Sequence, residues 1–74
     1  MKIEFSGHAI DQLRERPRIG RSMVVGTIED PQEVLPSFRG RRLYRKQLGE
    51  DILEVVTIKE HGKIIVITQY FLEE

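Results

Sequence analysis

The chain has no cysteine and no tryptophan, only two histidines and three prolines, and its charges cancel at 12 basic against 12 acidic residues. Without cysteine, neither a disulfide nor a thiolate metal site can hold the fold, and a reducing compartment suits it. Two histidines far apart, at 8 and 61, with no paired carboxylates at ligand spacing, exclude a zinc-type constellation. No phosphate-cradling glycine loop and no serine or cysteine nucleophile set is present. No apolar run is long enough to span a bilayer, and the start of the chain lacks an apolar signal region. These absences predict a cytoplasmic protein with no membrane association and no cofactor. Net neutrality argues against strong non-specific nucleic-acid binding.

What is present is uneven. From Arg14 to Lys46 nine basic residues face four acidic ones, so a local excess of +5 is balanced by −5 elsewhere. A phosphate-facing patch therefore survives overall neutrality. Seventy-four residues make one domain, 1–74. A chain of that size buries only ~60% of its unfolded surface, so self-association or a partner adds useful stability.

The most apolar stretch is Lys63–Leu72, rich in β-branched residues and predicted as a strand. Strict alternation sends Ile64, Val66, Thr68 and Tyr70 to one face and Ile65, Ile67, Gln69 and Phe71 to the other. Both faces being largely apolar, the strand is expected to be central and covered on both sides. Upstream, Lys2–Phe5 reads as a short lead-in strand. Ser6 is set to cap a helix that Pro17 closes, with Ala9, Ile10 and Leu13 as its apolar seam. His8, Gln12, Glu15 and Arg16 follow a wet stripe beside that seam. A second helix is expected over Met23 to Asp30, capped by Ser22, burying Met23, Val24, Thr27 and Ile28 and stopped by Pro31.

The remainder reads as β: an irregular edge strand Glu33–Phe38 containing Pro36, a turn at Arg39-Gly40, then strands Arg41–Leu48 and Ile52–Glu60. His61-Gly62 forms a two-residue hairpin loop into the last strand. Continued without interruption, that hairpin pairs Thr68 with Val55, Glu54 with Gln69 and Leu53 with Tyr70. The register of the Arg41–Leu48 strand is open; if Gly49-Glu50 is a two-residue turn, Arg45 faces Glu54 and Tyr44 faces Val55, a cross-strand charge pair. Together these registers place Arg42, Tyr44 and Lys46 on the face of Thr68 and Tyr70. The expected fold is α+β, two N-terminal helices packed on a three- to four-stranded antiparallel meander.

Few side chains can do chemistry. His8, in the first turn of its helix, can act as a general base on a ribose 2′-hydroxyl or donate a proton to a leaving oxygen. A histidine there is as readily a plain helix-start residue. Arg16, two turns on, can hold a phosphate bidentately or simply complement the helix C-terminus. Arg41, Arg42 and Tyr44, with Arg45 and Lys46, form a basic stretch with one aromatic, suited to a phosphate backbone and a stacked base. Thr68 and Tyr70 offer two hydroxyls, although both residue types are common in strands for packing alone.

Three segments are similar to one known family: Phe5-Ser6-x-His8-Ala9-x-x-x-Leu13-x-Glu15-Arg16, then Asp30-Pro31-x-Glu33-Val34, and finally Gly62-Lys63-Ile-Ile-Val66-Ile-Thr68-x-Tyr70. In order and spacing they resemble DUF4258, small bacterial and archaeal proteins regarded as relatives of the RelE/barnase-like ribonuclease toxins. The resemblance spans nearly the whole chain. It implies helices packed on an antiparallel sheet and a metal-independent ribonuclease of toxin–antitoxin type. In that reading His8, Arg16 and Thr68 are catalytic, and Arg41, Arg42, Tyr44 and Tyr70 bind substrate. The implied partners are RNA and an antitoxin protein. The chain departs from the pattern at Gln12, where relatives commonly carry arginine, and at Pro17-Arg18, where they carry a glycine-containing break. Loss of that arginine weakens the case for catalysis. The alternatives are a non-catalytic RNA- or protein-binding module and a self-associating domain that forms a homodimer.

Overall fold

The structure, a computed structural model, describes residues 2–72. Its elements follow the order β1 (Lys2–Phe5), α1 (Gly7–Glu15), α2 (Arg21–Glu29), β2 (Glu33–Pro36), β3 (Arg41–Leu48), β4 (Asp51–Glu60) and β5 (Lys63–Phe71). The strands form a single five-stranded sheet in the order β1-β5-β4-β3-β2. β1 runs parallel to β5, and every other neighbouring pair is antiparallel. The α+β class with two helices is as expected, whereas the meander is replaced by a mixed sheet. The lead-in strand becomes its edge because α1 and α2 together carry the chain back across one face, a crossover that brings β1 beside β5 in parallel. β5 lies inside the sheet between β1 and β4, as expected of a central strand, but the helices cover one of its faces and not both.

Both helices cover the same face. α1 packs on β5 and β1, and α2 packs on β3 and β4. Between helices and sheet lie Ala9, Ile19, Val24, Ile28, Leu53, Val55 and Val66, all buried, with Ile3, Phe5, Leu13 and Phe71 against them. Of the predicted seams, Ala9 and Leu13 of α1 and Met23, Val24 and Ile28 of α2 face the core, with Thr27 buried beside them, whereas Ile10 does not pack against it. The cap of α2 differs from the expected one: Gly20 holds the N-cap position in extended conformation, and its N–H donates to Met23 Sδ at 3.2 Å. Ser22 lies inside the helix and is exposed. β2 is an edge strand, as Pro36 requires, but it stops there; Phe38–Gly40 is a short 3₁₀ turn.

One irregularity controls where side chains point. His61 and Gly62 make the hairpin, with φ of 49° and 75°, and Glu60 pairs with Lys63 as a two-residue loop demands. The pairing holds as far as Thr57 with Val66, then slips: Val56 pairs with Thr68, Val55 with Gln69, Glu54 with Tyr70 and Leu53 with Phe71. Ile67 is the extra residue of a β-bulge. Ser6 sits at this point. Its N–H donates to Val66 O at 2.9 Å, its Oγ donates to Ile67 O at 3.2 Å, and the same Oγ accepts from Ala9 N–H at 3.1 Å. One serine thus caps α1 and ties it to the bulge.

Past the bulge every side chain of β5 changes face. Gln69 and Phe71 turn towards the helices, and Gln69 is buried there with Nε2 donating to Ala9 O at 3.0 Å. Thr68 and Tyr70 turn to the opposite face, which neither helix covers.

Candidate functional site

The residues selected from sequence fall into three places. His8 and Arg16 are both exposed on α1, in the helix layer. Arg42 and Tyr44 lie on the helix-side face of the sheet. Arg41, Thr68 and Tyr70 lie on the open face, two strands or fewer apart. The sheet itself separates Thr68 and Tyr70 from His8 and Arg16. The bulge at Ile67 corrects the shared face expected for Arg42, Tyr44, Lys46, Thr68 and Tyr70, because one inserted residue inverts the alternation.

The open face carries an ordered polar cluster. Across it runs a row of directly paired residues, Glu33, Arg45, Glu54 and Tyr70. Glu54 is 4% exposed although no helix covers it. Its charge is compensated from both sides: Arg45 Nε donates to Oε1 at 2.7 Å, and the Tyr70 hydroxyl donates to Oε2. Arg45 also reaches Glu33 at 3.9 Å. Burial, and then the bond to the Glu54 carboxylate, push the Tyr70 phenol up to about 12 from its usual 10.0. At neutral pH Tyr70 is therefore a fixed donor, and both oxygens of Glu54 are already engaged. At the β1 edge of the same face, Glu4 accepts from Lys63 at 3.1 Å, which holds its carboxyl below the ordinary 4.5.

The helix-side face holds a cleft of about 270 Å³ where β3 begins, β4 ends and β5 begins. Arg42, Tyr44, Thr57, Lys59 and Ile64 line it, and no helix residue does. Thr57 is buried and donates from Oγ1 to Arg42 O at 3.2 Å, which fixes the strand that carries the arginine. Among the described residues neither Arg42 nor Lys59 has a carboxylate partner. Both cations lie on the hairpin side of Tyr44: Arg42 is two residues before it on β3, and Lys59 stands one row further on, beside Ile64. No family model, curated protein or solved structure matches this chain. Its chemistry has to be read from these groups.

A second hollow, about 280 Å³, lies against Arg16, Pro17, Arg18, Ile19 and Phe71 at the other end of the sheet. Here Arg18 is already committed. It donates to Asp51 at 2.8 Å and stacks over the Phe71 ring at 4.8 Å. Among the described residues there is no group of three or more His, Cys, Asp or Glu that could hold a metal ion, and no helix is long and apolar enough to cross a membrane.

Of the residues singled out in the sequence, Arg42 and Tyr44 line this cleft, together with Thr57 and Lys59, which the sequence did not single out. Thr57 and Lys59 stand i, i+2 on β4, and Thr57 pairs directly with Arg42. The signal was available in the β3–β4 register that the facing charges of Arg45 and Glu54 favour.

Proposed function

We propose that this chain is a non-catalytic RNA-binding module whose contact surface is the cleft between Arg42 and Lys59. The observation that carries this reading is a cleft that holds Tyr44 together with two cations, Arg42 and Lys59, that have no carboxylate partner among the described residues. A base stacks on the ring while successive phosphates on its hairpin side take the arginine and the lysine. At about 270 Å³ the cleft is below the size of most small-molecule pockets, and it suits one nucleotide of a strand crossing the sheet end. The resemblance to DUF4258 and its toxin relatives favours RNA over other polyanions.

Two phosphate contacts predict weak, salt-sensitive binding. The slope of log affinity against log salt is about −1.4 for a single strand, and each lost cation reduces it by about 0.7. The test is fluorescence anisotropy of a labelled single-stranded RNA across a salt series. Arg42→Ala and Lys59→Ala each lower affinity and flatten the slope, Tyr44→Ala lowers affinity with little effect on the slope, and His8→Ala changes neither. Binding unaffected by Arg42→Ala and Lys59→Ala overturns the proposal.

A toxin-like, metal-independent ribonuclease is the second reading, and it moves to the other face. What favours it is that Thr68 and Tyr70 share the open face with the Arg45–Glu54 pair, with Arg41 on the same face two rows nearer the hairpin. Arg41 then holds the phosphate, Thr68 and Tyr70 position the strand, and an antitoxin covers that face. Its test is RNA cleavage in EDTA that disappears in Tyr70→Phe.

A further inference from the structure

The open face of the sheet is patterned as well as uncovered. Because β1 and β5 pair in parallel and β5, β4 and β3 in antiparallel register, one row of side chains crosses four strands in the order Arg41, Ile58, Ile65, Glu4. A cation ends it on β3, two isoleucines fill the middle, and Glu4 ends it on β1, where it already meets Lys63 at 3.1 Å and Lys2 at 3.7 Å, so that Arg41 of the other copy would join an existing charge cluster. Towards the bulge the next row presents Leu43 and Val56. Towards the hairpin, Glu60 on β4 stands directly beside Lys63 on β5.

We infer that this face pairs with a second copy of the chain, sheet against sheet, about a two-fold axis parallel to the strands and between β4 and β5. That axis exchanges β4 with β5 and β3 with β1 in the opposing sheet. Arg41 then meets Glu4 of the other copy, and Glu4 meets its Arg41. Glu60 meets Lys63 in the same reciprocal way, and Ile58 packs on Ile65. An isologous interface requires this self-complementarity. Arg41 has no carboxylate partner among the described residues within its own chain, so the pairing supplies one. A stable dimer takes about 800 Å² from each partner, roughly a sixth of this chain's 5107 Å² surface. Stacked sheets tolerate an angle of about 30° from their twist. The cleft of Arg42 and Lys59 lies on the other face and stays open, so the inference stands apart from the proposed RNA contact.

Sedimentation of the full chain over a concentration series tests it. Wild type forms a dimer. Arg41→Glu alone and Glu4→Arg alone each set like charges opposite one another twice, and weaken the dimer at least about tenfold. Mixed one to one, the two variants restore opposite charges at both contacts and recover a dimer containing one copy of each. The recovery itself shows that both variants fold. Ile58→Lys is a second disruptor, placing an ammonium beside the axis. A wild-type chain that stays monomeric at every concentration overturns the inference. So does a dimer indifferent to Arg41→Glu and Ile58→Lys, or a mixture of the two charge variants that does not recombine.

Discussion

Tyr70 provides a spectroscopic handle on the open face. Its phenol is shielded by burial and donates to a carboxylate that is 4% exposed, so losing the proton would set two negative charges against each other. The ionisation moves from 10.0 to about 12. Two units correspond to about 2.7 kcal/mol, and solvent at a partly exposed ring reduces this to ~1–2 kcal/mol of stability. The direction follows from linkage. Below pH 10 folded and unfolded chains both hold the proton, and the contribution is complete. Between 10 and about 12 the unfolded chain releases it first, and the contribution drains away. With Tyr44→Phe as background, ultraviolet absorbance of the phenolate reports Tyr70 alone. Denaturant unfolding through the same window, compared with Tyr44→Phe/Tyr70→Phe, isolates its share of stability. A phenolate midpoint near 10, or a stability difference that stays flat across the window, refutes the Glu54–Tyr70 arrangement.

Other changes test the frame. Ser6→Ala removes the α1 cap and the bond to Ile67 O together, and costs ~1–2 kcal/mol by denaturant unfolding, more than a cap alone on an exposed helix. Arg45→Ala leaves the Glu54 carboxylate with Tyr70 alone and costs ~2–3 kcal/mol, while Arg45→Lys recovers only part because a single ammonium cannot reproduce the Nε contact.

Much of this arrangement is legible in the residues. Apolar spacing finds both helices and most of their buried residues, and the β3–β4 register, open between turn lengths, is the one that a two-residue Gly49-Glu50 turn and the Arg45–Glu54 pair favour. The His61-Gly62 loop starts the β4–β5 hairpin in the right place. What cannot be read is the slip at Ile67. The run Ile64–Ile67 is apolar at every position, so it satisfies either face and contains no mark of an inserted residue. The bulge is held instead by Ser6, sixty-one residues away, acting through the Ile67 carbonyl. The parallel pairing of β1 is equally invisible locally, because a four-residue strand does not name its neighbour. These two long-range facts decide the site. With the slip, Thr68 and Tyr70 join Arg41, Arg45 and Glu54 on the open face; without it, they would have joined Arg42 and Tyr44. DUF4258-type motif positions thus lie on both sides of one sheet, and a single cleft joining His8 and Arg16 to Thr68 is not formed.

RNA held at Arg42, Tyr44 and Lys59 without being cut is the proposal to be tested. The most direct measurement incubates end-labelled single-stranded RNA with the protein in EDTA and reads retention and cleavage from the same samples. The account predicts intact RNA, retained by wild type and by His8→Ala and released by the Arg42→Ala/Lys59→Ala pair. Cleavage by wild type that vanishes in Tyr70→Phe or His8→Ala, with retention indifferent to Arg42 and Lys59, would contradict it.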